Sequence, residues 1–309
     1  MALWSFETDV ADGINETRVN EAYLPDVPLD ANLQATSSLG EAVEGASVVV
    51  SVSPSQHVRQ VMRRAAQVMR RDALVVSASK GIETTTLETM ADVLEDVLPE
   101  GTHRSTCFLS GPSFATEVAR EHPTAVTVAS RETEAARRAQ ELFQTDYFRV
   151  YTSHDVVGVE LGGSLKNVMA LAAGMVAGLG YGHNTRAALI TRGLAEMSRL
   201  GTALGANPLT FMGLAGMGDL ILTCTGELSR NRSVGFALGQ GRKLADVLGE
   251  MRMVAEGVET SRAAHALADR EGIEMPIVAE VHAVLFEERA PDEAVLSLMQ
   301  REPKAEIWK

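Results

Sequence analysis

An α/β fold is expected, with a doubly wound parallel sheet in the first half of the chain and an all-helical second half. Three observations point to it. Short apolar runs alternate with amphipathic ones up to about residue 150, the mark of βαβ units. Beyond Asp155 helical periodicity dominates and β-branched runs become few, which puts a boundary near residue 153 and gives domains 1–152 and 153–309. Finally, Val168 to Gly180 is almost wholly apolar and rich in Ala and Gly. A helix that is apolar all round must be buried, and thirteen residues are too few to cross a bilayer, so this is a core helix.

The elements follow in order. Ala2 to Ser5 reads as a strand and Asp9 to Thr17 as a helix; VVVSV at Val48 to Val52 is a buried strand, followed after Pro54 by a helix from Ser55 to Met69. Leu74 to Ser79 is a strand and Thr85 to Leu98 a helix. A strand ends at Cys107 to Ser110, Ser113 to Arg120 is helical, and Ala125 to Ala129 is extended. Glu134 to Phe143 is a helix and Phe148 to Thr152 the last strand. The glycines of GLGYG (Gly178 to Gly182) and GLAGMG (Gly213 to Gly218) fall in the helical half and read as helix ends and close packing.

The 309 residues are ample for a large core, and 45% apolar with 22% charged residues is ordinary for a globular protein. A net charge of −13 argues against nucleic acid or an anionic membrane as a general partner, so a phosphate ligand would need a local basic island. Cys107 and Cys224 lie far apart, without CxxC or a disulfide framework, which fits a reducing cytoplasm. No signal-peptide pattern opens the chain and no window holds eighteen uninterrupted apolar residues, so no membrane span is expected. The seven histidines show no ligand spacing, and no metal is expected.

Lys166 and Asn167 stand just ahead of the apolar run. A buried lysine needs an anionic partner, and burial lowers its pKa toward neutrality, where it can give and take protons. On spacing alone, a side chain that snorkels to the surface remains an equal alternative. Lys80, in SASKG, sits at the carboxyl end of a strand, where open α/β sheets bind ligands; an exposed loop lysine is the plainer reading. Ser113 in SGPS is a good N-cap whose helix would offer a small anion site, or simply a capped helix. Asp219 and Thr223 share a helical face and can meet each other. The cluster Ser229-Arg230-Asn231-Arg232 offers forked donors suited to phosphate, or else a solvated surface. Glu7 closes the first strand, where an acid bonds a ribose diol, or else opens the next helix.

GVELGGSLKNVMALAAGM and NTRAALITRGLAEMSRLG, with SASKGIE, SGPSFATEVA, GLAGMGDL, LTCTGELSRNR and MVAEGV, resemble the NAD(P)-dependent glycerol-3-phosphate dehydrogenases, the bacterial type in particular. The likeness runs from about Leu3 to the C-terminus. It implies a Rossmann-like domain ahead of an all-α substrate domain, with NAD or NADP as cofactor. It also implies reversible hydride transfer between C2 of sn-glycerol 3-phosphate and the nicotinamide, feeding phospholipid synthesis. Lys166 matches the catalytic acid/base; Asn167, Asp219 and Thr223 would hold the reacting oxygen and the lysine. Lys80 would lie between cofactor and substrate phosphate, with Gly111, Ser113, Ser229, Arg230 and Asn231 also on the substrate. Ala115, Arg230, Val254 and Glu256 match cofactor positions, as do Phe6 and Glu7. Many relatives carry arginine where this chain has Phe6, which with Glu7 favours NAD. A small-molecule phosphate is the expected partner, and the resemblance leaves a homodimer open.

The family begins with a strand and a GxGxxG-like turn ahead of the LW strand, whereas this chain begins at Ala2-Leu3-Trp4. About thirty residues, one strand-turn-helix unit, are expected to be missing. The chain as written is therefore expected to bind the cofactor weakly. Two rivals stay open: a related hydroxy-acid dehydrogenase, and a truncated, non-catalytic relative serving as a binding subunit.

Overall fold

The computed structural model describes residues 1–303, 305 and 306. Its first half alternates strands and helices: β1 (Ala2–Trp4), α1 (Thr8–Thr17), a hairpin β2 (Val19–Asn20) and β3 (Leu24–Pro28), β4 (Gln34–Thr36), α2 (Leu39–Val43), β5 (Val48–Ser51), α3 (Ser55–Ala65) and β6 (Leu74–Ser77). There follow α4 (Met90–Val97), α5 (Glu100–His103), β7 (Thr106–Ser110), α6 (Ala115–Ala119), β8 (Thr124–Ala129), α7 (Thr133–Phe143) and β9 (Phe148–Ser153).

The strands form a parallel pair, a mixed five-stranded sheet and the small hairpin. β1 pairs with β4, and β5-β6-β7-β8-β9 make one five-stranded sheet, with β1 and β5 each at an edge of its piece. β5, β6 and β7 run parallel, as βαβ units should. The expectation of an all-parallel sheet fails at β8, which runs antiparallel to β7, with β9 parallel to β8. The connection from Ser110 to Thr124 holds only the five-residue α6, too little helix for a packed parallel crossover, so the chain turns back.

Three further expectations need correction. The helix expected from Thr85 begins at Met90, because Thr89 and Asp92 close a capping box there while the preceding residues wrap Glu83. The helix expected from Ser113 begins at Ala115, and the residue at its N-cap position is Phe114. Ser113 is therefore no cap; its hydroxyl donates to the Gly111 carbonyl at 3.0 Å. The hairpin over 19–28 was not expected, since Pro25 and Pro28 mask the strand signal.

The second half is helical: α8 (Val156–Gly178), α9 (His183–Ala203), a 3₁₀ turn (Pro208–Met212), a π turn (Leu214–Gly218), α10 (Asp219–Thr225), α11 (Arg230–Gly239), α12 (Leu244–Gly249), α13 (Glu256–Glu271), α14 (Pro276–Phe286) and α15 (Pro291–Met299). Helix α8 opens on the Asp155 carboxylate, which caps the Gly158 N–H at 2.9 Å. It is long and apolar enough to cross a membrane by composition, yet it is 94% buried within the protein, wrapped by α9, α10, α11 and α13. Glycines explain how neighbours come so close. A Cβ at Gly174 would strike the Arg232 carbonyl, and one at Gly235 would strike that of Leu171, so α8 and α11 cross backbone to backbone. Leu165, Met169, Leu171, Met197, Leu200 and Phe211 fill the resulting core.

Candidate active site

The buried, largely apolar α8 carries a lysine. Lys166 is 7% exposed, and its ammonium meets two groups of α10. It donates to Asp219 Oδ1 and, at 3.0 Å, to Thr223 Oγ1. The four-residue spacing of Asp219 and Thr223 does what a helix face allows: Thr223 Oγ1 donates to the Asp219 carbonyl at 2.6 Å and lies 3.3 Å from Oδ1. The second carboxylate oxygen, Oδ2, accepts from Lys80 Nζ at 3.3 Å. Asp219 thus holds two lysines, one from the helical half and one from the loop after β6. The buried-lysine reading of Lys166 prevails over the snorkelling one, and Lys80 is paired with Asp219 rather than a free loop cation.

The electrostatics follow from that triangle. Burial lowers the Lys166 pKa to about 8, reinforced by the Lys80 ammonium and opposed by Asp219. Burial alone would raise Asp219, but Lys80 and Lys166 outweigh it and hold the carboxyl below the usual aspartate range. The result is a fixed anion beside an amine that can exchange its proton near neutral pH.

A second chain of polar contacts leads away from Lys166. Asn167 Oδ1 accepts from Asn231 Nδ2 at 3.0 Å, and Asn231 Oδ1 accepts the Gly257 N–H at 2.9 Å. These two buried amides tie α8, α11 and α13 together. Asn231 uses one N–H and its carbonyl oxygen in this way. Ser229 is the N-cap of α11, its hydroxyl accepting from the Arg232 N–H at 3.3 Å. Arg230, exposed at the first turn, donates through Nη1 to the Val254 carbonyl at 2.9 Å. Arg230 thus brings a guanidinium to the first turn of α11, and guanidinium groups and helix starts are both groups that receive anions.

The loop carrying Val254 and Glu256 reaches across to the sheet. Glu256 accepts from the Ser55 N–H at 3.0 Å and its hydroxyl at 2.5 Å, fixing the start of α13 against the turn after β5. Burial raises its pKa, opposed by those two bonds. Pro54, His57, Thr84, Val254 and Glu256 border a groove of about 390 Å³ at the carboxyl end of β5, within the range of ligand pockets. Glu7, after β1, makes no capping bond to α1; its carboxylate accepts from Tyr23 Oη at 2.5 Å and Ser5 Oγ at 3.2 Å. The Tyr23 bond holds it below the ordinary glutamate range, as an anion. Arg252, from the Val254 loop, stands 3.8 Å from Asp9 near this pair. Phe6 and Val254 lie exposed, at 81% and 49%, beside these polar groups. The groove's lining is completed by Gln56, Glu83, Thr85 and Glu259, while Glu7, outside it at the end of β1, offers the kind of carboxylate that bonds a ribose diol.

Gly111 ends the neighbouring strand at φ +140°, with Val126 where a Cβ would stand, so no other residue fits that turn. Ala115 is exposed at the start of α6. Three buried carboxylates escaped sequence reasoning: Glu83, Glu160 and Glu196. Only Glu160, in GVELGG one turn before the LKN element, carried a signal, since an acid inside an otherwise apolar helix asks for a partner.

Comparison with known proteins agrees with this geometry. Residues 1–136 match the N-terminal family model of NAD-dependent glycerol-3-phosphate dehydrogenase, and residues 155–296 the C-terminal one. The glycerol-3-phosphate dehydrogenase [NAD(P)+] of Geobacter metallireducens is 58% identical over 306 residues, which cover 99% of this chain and 91% of that protein. That of Geobacter sulfurreducens is 57% identical, covering 100% and 92%. The crystal structure of glycerol-3-phosphate dehydrogenase from Coxiella burnetii superposes with a TM-score of 0.93 at 38% identity, covering 97% of this chain and 91% of that one. With both halves matched and a lysine–aspartate–lysine centre at their junction, the chain belongs to the NAD-dependent glycerol-3-phosphate dehydrogenase family.

Proposed function

We propose that the protein interconverts sn-glycerol 3-phosphate and dihydroxyacetone phosphate with NAD or NADP, its 1–152 half holding the nucleotide and its 153–309 half the substrate. The observation that carries this reading is the buried Lys166, paired with Asp219 and lowered to about 8. Two of its N–H directions are taken by Asp219 and Thr223, which leaves the third for the substrate oxygen. In oxidation the neutral amine takes the C2 hydroxyl proton; in reduction the ammonium returns it. Asp219 stays ionised in both directions and keeps the amine aimed. Arg230, the start of α11 and the other N–H of Asn231 receive the phosphate, and that binding energy fixes the distance of C2 from Lys166.

When bound, the nicotinamide supplies the hydride acceptor or donor at C2. Glu7, Arg230, Val254 and Glu256 would hold the dinucleotide. Glu7, with Phe6 in place of an arginine, favours NAD through its acceptance of ribose hydroxyls. A cytoplasmic location fits the two free cysteines. Initial rates with sn-glycerol 3-phosphate and with a 2-hydroxy acid, each with NAD and NADP, test the reading. Oxidation of the phosphate with NAD is expected; a preference for the hydroxy acid overturns it.

A further inference from the structure

Glu160 lies on α8 one and a half turns before Lys166, and the chemistry above does not use it. It is 9% exposed; Oε2 accepts the Ala91 N–H at the start of α4 at 3.2 Å, and Oε1 has no hydrogen-bond partner among the described residues. The hydroxyls of Ser77, at the end of β6, and Ser110, at the end of β7, are buried and equally unpartnered. All three groups line one small recess, about 10 Å³, whose remaining wall includes Lys80 and Gly163. Gly163 keeps it open, because a Cβ there would run into Ser110 Oγ at 2.5 Å. Buried polar groups are costly without partners, and a space of this size with several polar groups around it suits one water.

We propose that Glu160, Ser77 and Ser110 form a proton-exchange site behind the lysine pair, joined through one bound water to the Lys80 side of the centre. The proposal rests on the acid–base reading of Lys166, which is buried. Asp219 bridges the two lysines, with Lys80 on Oδ2 and Lys166 on Oδ1. After Lys166 gives its proton to the C2 oxygen, Lys80 hands one to Asp219 Oδ2; the carboxyl, ionised before and after, turns to deliver it to Lys166, and Lys80 takes one from Glu160 through the water. The net step is Glu160 carboxyl plus Lys166 amine giving carboxylate plus ammonium; oxidation runs it backwards. Burial, helped by Asp92 on α4, raises the Glu160 pKa to about 8 against Thr89, the Ala91 N–H and Arg131, so the acid holds its proton at neutral pH.

Infrared spectra of the full chain test this in the carboxylic-acid C=O region. Wild type minus Glu160→Gln is expected to show an acid band at pH 7 that is lost as pH passes about 8. Ser110→Ala, which removes one holder of the water, should shift that band and its midpoint, and serves alone should the Gln variant not fold. Saturation with sn-glycerol 3-phosphate, checked by calorimetry, should change the band's amplitude. No acid band in the difference, or one indifferent to Ser110→Ala, overturns the proposal. Absence of calorimetric binding counts instead against the substrate reading, and the free-enzyme band still decides this one.

Discussion

Asp219 and Glu196 are both buried carboxylates of the helical half, yet they sit on opposite sides of their ordinary pKa. Glu196, on α9, accepts the Ile277 N–H at 2.9 and 3.1 Å and the Val278 N–H at 3.3 Å, closing the start of α14 from another helix. Burial raises its pKa to about 7, and those backbone bonds, with more distant arginines, recover only part of the cost. Asp219 is buried as deeply, but faces two ammonium groups and goes down. The difference teaches that burial sets the penalty and the partner decides the outcome. Backbone dipoles satisfy a carboxylate and build structure; paired cations keep it charged and build a reaction centre.

Changing each partner sharpens the contrast. Asp219→Asn leaves two lysines facing each other without an anion, and should cost about 3–5 kcal/mol of stability, read by denaturant unfolding. Lys166→Met keeps volume and fold but removes the proton carrier. Turnover should fall about a hundredfold or more, with a smaller change in substrate affinity. Arg230→Ala should cost about 2 kcal/mol in kcat/KM for the phosphate and less for glycerol, which has no phosphate to hold. Equal losses on both substrates would confine Arg230 to the cofactor or to structure.

The smallest effect belongs to Glu196. Its folded pKa lies above its unfolded value, so the folded state binds more protons between about pH 4.5 and 7. Stability from this group is therefore highest below that window and declines as pH rises through it. Asp219 has the opposite sign: its depressed pKa contributes stability at neutral pH that is lost in acid, below the ordinary aspartate value of 3.8. Glu196→Gln should flatten the decline between pH 5 and 7 in a thermal-melt series. An unchanged slope would break the comparison.

Much of this architecture was legible in the sequence, for physical reasons that differ by region. Helix α8 announced itself because few structures bury so apolar a run, and the Asp219–Thr223 spacing places both groups on one face. Lys80 and Asp219 meet across 139 residues, a contact no local pattern encodes. Ser113 misled, since a good capping residue does not make a helix start where the following Phe114 takes extended angles. The reversed β8 was hidden because strand propensity carries no direction. Glu196 left no local signal, for its burial depends on α14, distant in sequence, and the acid inside the apolar α8 run at Glu160 finds its partner only on α4. Glu7 takes the N-cap position of α1 without a capping bond, because Tyr23 of the unforeseen hairpin holds its carboxylate.

The central claim is that Lys166 carries the substrate proton, and chemical rescue tests it most directly. Lys166→Ala leaves a space lined by Asp219 and Thr223 that a small primary amine can enter. Glycerol 3-phosphate oxidation by this variant, measured with a series of small amines, should recover in proportion to amine concentration. Among amines of similar size, the recovered rate should track amine basicity, as general base catalysis requires. Rates that stay at the background level for every amine, or that rise without regard to basicity, would contradict a proton-carrying role for Lys166.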